Sequence, residues 1–382
     1  MLACQKDVEI LRSLGRRVAE IAALPDQARS IQLWKQLNGL KPVRPMVAID
    51  QIPWHEMNVQ DELTLRCVDP EARKVETDLR QRLYRWKHMR ADYVVEATIG
   101  VSPVLTGNWL GMHIDEERAV LDSSNPVVGH IYHDQIQTEA DLDKIKMPQV
   151  HYDAAATAAR IAEWREVFDG ILTVERQGVV PMLNVWDHIV QVRSVEAVLI
   201  DLADRPEFLH KVMTRHVAAY SSIIDQYEAL GVMAQRESWI HCTGAWTDEL
   251  PKPGFNPQQP RARDNWVAGM AQIFSSVSPA MHQEFDLAYL NPLYARFGLV
   301  YYGCCEPLHR KLDIVRQIPH LRKISMSPWV DEDIGAAGIG REFVYSRKPS
   351  PALLAGDHWD PAAVETHLRT TIQACRRHGC PL

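Results

Sequence analysis

Apolar residues recur along the chain at two spacings. Val8, Leu11, Leu14 and Val18, then Ile31, Trp34 and Leu37, fall three or four apart, so residues 4–39 predict two helices. Short apolar runs without that repeat predict strands at 43–49, 92–99, 179–185, 233–240, 299–303, 322–326 and 343–346. Helical patterns fall between them, at about 70–90, 153–169, 193–203, 206–229, 265–274, 278–296, 308–317 and 361–377. Before 206–229, Asp204-Arg205-Pro206-Glu207 has the form of a cap with proline in the first turn. Residues 100–150 are irregular, punctuated by Gly, Pro and Asn, with a hairpin expected at VVGHIYH.

Strands alternating with helices imply an α/β fold with a parallel sheet. The 382 residues suit a (β/α)₈ TIM barrel over 41–382 behind an N-terminal helical extension over 1–40. Only seven strands are evident. The eighth strand and its helix are absent, or the strand lies in the irregular stretch near 100–135. An absent last strand would leave an open sheet edge, and with it a tendency to associate as a homodimer. Reactive and polar residues follow the strands rather than precede them, and in a barrel that end is the active-site face.

Composition narrows the function. Hydrophobic residues make up 46% and charged residues 24%, enough for a sizeable core. A net charge of −7 without a basic block argues against a nucleic-acid partner. No apolar run reaches the roughly 18–20 residues of a membrane helix. The amphipathic start, MLACQKDVEILRSLGRR, is unlike a signal peptide. Seven cysteines without regular spacing make a poor disulfide framework, so a cytoplasmic protein with reduced thiols is expected. Motifs for dinucleotide, phosphate-loop, serine-hydrolase and Cys-x-x-Cys chemistry are missing.

The strand ends carry a constellation: Asp50, Trp54, His55 and Glu56; Trp186, Asp187 and His188; His241 and Cys242; Cys304, Cys305 and Glu306; Trp329 and Asp331. Side-chain alternation sends one of Cys304 and Cys305 into the pocket and the other toward the helix layer. A thiolate, an imidazole and a carboxylate on neighbouring strand ends suit zinc, which polarises an oxygen or activates a thiol. Each residue also has a plain structural reading. The cysteines can be core, His241 can bond backbone, Asp50 and Asp187 can cap helices, and the tryptophans can pack. His113, His130, His133 and His151 read as surface histidines.

YYGCCEPLHRKLDIVRQIPHLRKISMSPWVD, SRKPSPALL, HCTGAWTDELP and AQIFSSVSPAMHQEF together resemble the uroporphyrinogen decarboxylase-like superfamily, in the branch near the corrinoid-dependent methyltransferases. The resemblance covers the chain from about residue 40 and is specific over 235–350. It implies a (β/α)₈ barrel. True decarboxylases of the superfamily carry an arginine-bearing segment after the first strand, where this chain has AIDQIPWH, without the cations that substrate carboxylates need. The methyltransferase branch implies zinc held by a His-x-Cys and a later cysteine. Here the segment reads Tyr302-Gly303-Cys304, with tyrosine in place of histidine.

Of that ligand set the resemblance carries over Cys304 alone; outside the family pattern, zinc is expected on Cys304 or Cys305 with His241, from the preceding strand, and Glu306 as a further ligand or catalytic group. Asp50 and Asp187 supply acid or base, and Trp54, His55, Trp186, His188, Tyr302 and Trp329 line the substrate pocket. The activity expected is methyl transfer between a small methylated substrate, or a thiol, and a corrinoid protein. Uroporphyrinogen decarboxylase, another metal-free lyase or transferase, and a non-catalytic binding barrel are the alternatives.

Overall fold

The computed structural model describes residues 4–123, 125 and 127–382. Helices α1 (Gln5–Ala22) and α2 (Pro25–Asn38) open the chain, as their repeat predicts. Helix α3 (Pro70–His88) starts where the Asp69 carboxylate accepts from the free N–H groups of Glu71 and Ala72, with Pro70 at its first position. Four short strands follow, β1 (Thr98–Val101), β2 (Val104–Gly107), β3 (Glu116–Ala119) and β4 (Gly129–Tyr132). Strand β5 (Val150–Asp153) leads into α4 (Ala154–Val167), capped by Asp153, and then β6 (Thr173–Arg176). Helices α5 (Val185–Arg193), α6 (Val195–Asp204) and α7 (Pro206–Ala229) come next. A hairpin of β7 (Trp239–Ile240) and β8 (Thr243–Gly244) precedes β9 (Trp266–Gly269). Helices α8 (Pro279–His282) and α9 (Ala288–Tyr294) are joined by one π turn, Gln283–Leu287. The remainder is β10 (Leu299–Tyr302), α10 (Leu312–Val315), β11 (Leu321–Met326), α11 (Glu332–Ile339), β12 (Val344–Arg347) and α12 (Pro361–His378).

The fold is mixed α/β. Its largest sheet is parallel, in the order β12-β11-β10-β9, and β1 pairs in parallel with β6. Single parallel bridges extend the pattern, Leu183 to Gly269 and Val179 to Met233. Strands β10, β11 and β12 fall where apolar runs predict them. Strand β9 corrects the helix expected at 265–274: the run Trp266-Val267-Ala268-Gly269 is buried at every residue, and such a run is ambiguous by periodicity alone. The predicted strand at 43–49 does not form; residues 43 and 44 bend, and the segment is tied by single bonds such as Asp92 N–H to the Val47 carbonyl. Guanidinium groups from α3 cap the adjacent backbone instead. Arg82 donates to the Glu96 and Thr98 carbonyls, and Arg85 to that of Ile49.

The edge of β12 is not bare. Tyr345 N–H donates to the Pro381 carbonyl and Met46 N–H to that of Leu382, so the last residues lie beside it. In the irregular region, β4 pairs antiparallel with β3, not within VVGHIYH.

Alternation divides the main sheet. Val267, Val300, Tyr302, Ile324 and Met326 face the helices and join the large apolar core with α7 and α9. Trp266, Ala268, Leu299 and Tyr301 face the other way, against Ile240 and Ala245 of the hairpin. Helix α2 closes one end of that face. Trp34 donates to the Asp92 carbonyl, and Asn38 to those of Gly244 and Trp246. Helix α1 packs with α3, α4 and β1, so residues 4–39 share the core of the rest of the chain. Among the described residues, no helix is long and apolar enough to cross a membrane.

Candidate functional site

The inner face of β10–β12 ends in a polar group centred on Lys348, one residue past β12. Its ammonium donates to the Tyr301 hydroxyl at 2.9 Å and to Ser325 Oγ at 2.6 Å. Tyr301 also shares a hydrogen bond with Ser346 Oγ. Alternation along β10, β11 and β12 is what brings Tyr301, Ser325, Ser346 and Lys348 to one side. Burial pulls the Lys348 pKa down, but Tyr301, Cys304 and Cys242 outweigh it, and the ammonium is held above its ordinary range. One of its three protons has no partner among the described residues.

The hairpin brings His241 and Cys242 to this group. Ile240 pairs with Thr243, so the two form a two-residue turn, and both have positive φ, 29° and 67°. Tight hairpins of this kind prefer Asn-Gly, and cysteine in particular does not adopt the left-handed region readily. The His241 ring meets Tyr301 edge-on at 5.2 Å. Burial, with Lys348 adding to it, lowers the His241 pKa to about 4, so its imidazole is neutral at pH 7. Its Nε2 is buried without a partner among the described residues. Burial and a bond to Asp50 push the Cys242 thiol up to about 11.

The vicinal cysteines occupy the turn after β10. Gly303 has φ 96°, and a Cβ there would lie 2.5 Å from Leu308 Cδ1 and 3.1 Å from Ser325 Cβ. This left-handed residue breaks the alternation, so the expected division of the two thiols between pocket and helix layer does not hold. The sulfurs lie together, 3.6 Å apart, with Cys305 exposed and Cys304 partly so. The Cys304 thiol bonds to its neighbour, which lowers the Cys305 pKa to about 7 and raises that of Cys304.

Glu306 has a different role from the expected one. It is fully buried, and its two oxygens accept the N–H groups of Ala271 at 3.0 Å and Cys304 at 2.8 Å. It ties the cysteine turn to the segment just after β9, and it is wholly buried rather than an acid at the surface. Among the described residues, no three His, Cys, Asp or Glu side chains converge where they could hold a metal ion. The proposed zinc set of His241, Cys304, Cys305 and Glu306 therefore does not fit a four-coordinate ion.

The remaining expected residues separate. Trp186 is wholly buried against Phe274, and Tyr302 is wholly buried with its hydroxyl on Asp286 at 2.7 Å and His282 Nε2 at 2.5 Å. Both are core, not pocket wall. Asp187 and His188 lie in the first turn of α5. Asp187 accepts from Gln272 at 2.9 Å, and burial raises its pKa. His188 bonds the Tyr220 hydroxyl, and burial lowers its pKa. Trp54 meets Tyr84 edge-on, and His55 lies 3.4 Å from Glu56. Trp329 is 73% exposed. Asp50 joins the site through Cys242 and lines a cleft of about 360 Å³ with Arg85, Trp239 and Trp246.

Sequence reasoning missed Lys348 and Tyr301. The signal available was a lysine directly after a strand, in SRKPSP. It also missed Glu237, which lines a second cleft of about 740 Å³ beside β1 and β6. There Arg236 pairs with Glu96 and Glu175, and Arg82 with Asp78. No protein-family model matches the chain, and no curated protein matches it either.

Proposed function

We propose that this chain is a (β/α)₈-barrel methyltransferase that moves a methyl group from a small methylated substrate to a corrinoid carried by a partner protein. The barrel reading is supported by the parallel pairing of β1 with β6 and along β9 to β12, and by the parallel bridges Val179 to Met233 and Leu183 to Gly269, with helices between. The reading of the site rests on one observation: a half-buried, charged Lys348 with a spare proton, set among Tyr301, His241 and thiols at the carboxyl ends of parallel strands.

When a methyl ether gives up its methyl group to a nucleophile, the C–O bond breaks and its electron pair stays on oxygen. That oxygen needs a positive charge nearby. Lys348 offers a fixed ammonium hydrogen-bond donor for it, and Tyr301 and Ser325 hold that ammonium in place. A corrinoid on a partner would supply the nucleophile that accepts the methyl group. No role is given to zinc. Porphyrinogen decarboxylation is less favoured because Arg236 and Arg82, in the larger cleft, are already ion-paired.

The test is methyl release from a panel of methyl ethers, followed by chromatography in the presence of a reduced corrinoid protein. Lys348→Met is expected to lower turnover about 100-fold, the scale of losing one oriented donor, and Lys348→Arg to retain part of it. Equal turnover in Lys348→Met and wild type would remove the basis of the reading. Release of carbon dioxide from a carboxylated porphyrinogen would replace it with the lyase.

A further inference from the structure

The donor set that fails for zinc suits a different ligand. Two thiolates on one tetrahedral zinc stand about 3.8 Å apart, given Zn–S bonds of about 2.3 Å. The 3.6 Å between Cys304 and Cys305 Sγ is close to that span, and well beyond the roughly 2.05 Å of a disulfide. What zinc lacks here is the other half of its shell. Glu306 is committed to two backbone N–H groups, and no third His, Cys, Asp or Glu converges on the pair among the described residues.

The pair is held, not merely adjacent. Gly303 N–H donates to the Gly269 carbonyl at 2.8 Å, Glu306 accepts Cys304 N–H, and Ser325 Oγ donates to the Cys304 carbonyl at 2.9 Å. Three bonds, to β9, to Glu306 within the turn and from β11, fix the turn on both sides of Cys304. A centre satisfied by two sulfurs would meet them with little reorganisation, and the exposure of Cys305 gives it a way in.

We propose that Cys304 and Cys305 form a dithiol clamp for a soft, thiophilic centre of low coordination number, of which an organoarsenic(III) oxide is the simplest. Glu306 is its positioning residue. On binding, the arsenic–oxygen bond breaks and two arsenic–sulfur bonds form. The two thiol protons leave with the oxygen as water. Arsenic remains trivalent, so no oxidant or reductant enters. This inference is independent of the methyltransferase reading and needs no turnover to test.

The probe is phenylarsine oxide added to the full chain, read by intact mass. One adduct per chain is expected, stable to excess monothiol and released by a dithiol. Cys304→Ser and Cys305→Ser should each weaken retention at least tenfold, while Cys242→Ser and Cys375→Ser retain it. Far-UV circular dichroism checks that each variant is folded. Glu306→Gln keeps one acceptor oxygen and is expected to slow adduct formation without abolishing it. Retention of the adduct in both Cys304→Ser and Cys305→Ser overturns the proposal. So does its loss in Cys375→Ser, which would place the adduct at Cys375 and Cys380, or in Cys242→Ser, which would make a third thiol essential.

Discussion

Glu237 offers a test of the geometry that needs no substrate. Its carboxyl accepts the N–H of Trp266, the first residue of β9, at 2.6 Å. Burial raises its pKa from an ordinary 4.5 to about 8 despite that bond. The unfolded chain releases the proton near 4.5, and the folded chain keeps it to about 8. Between these values the folded state binds more protons, so stability falls as pH rises through the window. At about 1.4 kcal/mol per tenfold change, the full rise corresponds to about 5 kcal/mol. The side chain keeps some contact with solvent in the larger cleft, which reduces the figure to about 2 kcal/mol. Glu237→Gln preserves an acceptor for Trp266 and cannot ionise. Urea unfolding at about pH 5 should show wild type and variant alike; at about pH 9 the variant should be more stable by about 2 kcal/mol. A difference of the same size at both pH values would mean that Glu237 is not a buried titrating group, and the packing of 234–239 against β9 would be wrong.

Two contrasts test other placements. Trp186→Ala should cost about 3–5 kcal/mol in urea unfolding, as a buried aromatic, while Trp329→Ala should stay within about 0.5 kcal/mol; the reverse order would put Trp186 in a pocket. Cys242→Gly should leave stability unchanged or raise it by up to about 1 kcal/mol, because glycine relieves the left-handed turn, whereas Cys375→Gly, at a buried position of α12, should cost about 2 kcal/mol. Equal losses at the two cysteines in thermal or urea melts would argue against the tight hairpin.

The parts of the fold legible from sequence were those where one signal dominated. Helix α7 shows its helical repeat and its Pro206 start, and β10 to β12 are apolar runs bounded by turns. Strand β9 was misread because a four-residue buried strand has no period of its own. The run at 179–185 was split for a different reason. Val179 bridges Met233 and Leu183 bridges Gly269, while Val185 already begins α5, so Trp186, Asp187 and His188 turn away on a helix. Residue types after a strand thus announce an active-site face only if the strand continues to its expected end.

The site was half legible for a related reason. His241, Cys242, Cys304 and Cys305 stood out by type, and all lie near Lys348. Their roles did not follow, because roles depend on hydrogen bonds that sequence does not display. The carboxylate of Glu306 looks like a ligand beside two cysteines, yet it is buried with a backbone N–H on each oxygen. Lys348 looks like an ordinary surface lysine, yet two hydroxyl groups hold it in place. The positive charge that the structure places at this end of the sheet is the Lys348 ammonium. On the proposed methyltransferase reading, that placement leaves the vicinal sulfurs with chemistry of their own and makes the lysine, not either cysteine, the residue whose loss should be felt first in turnover.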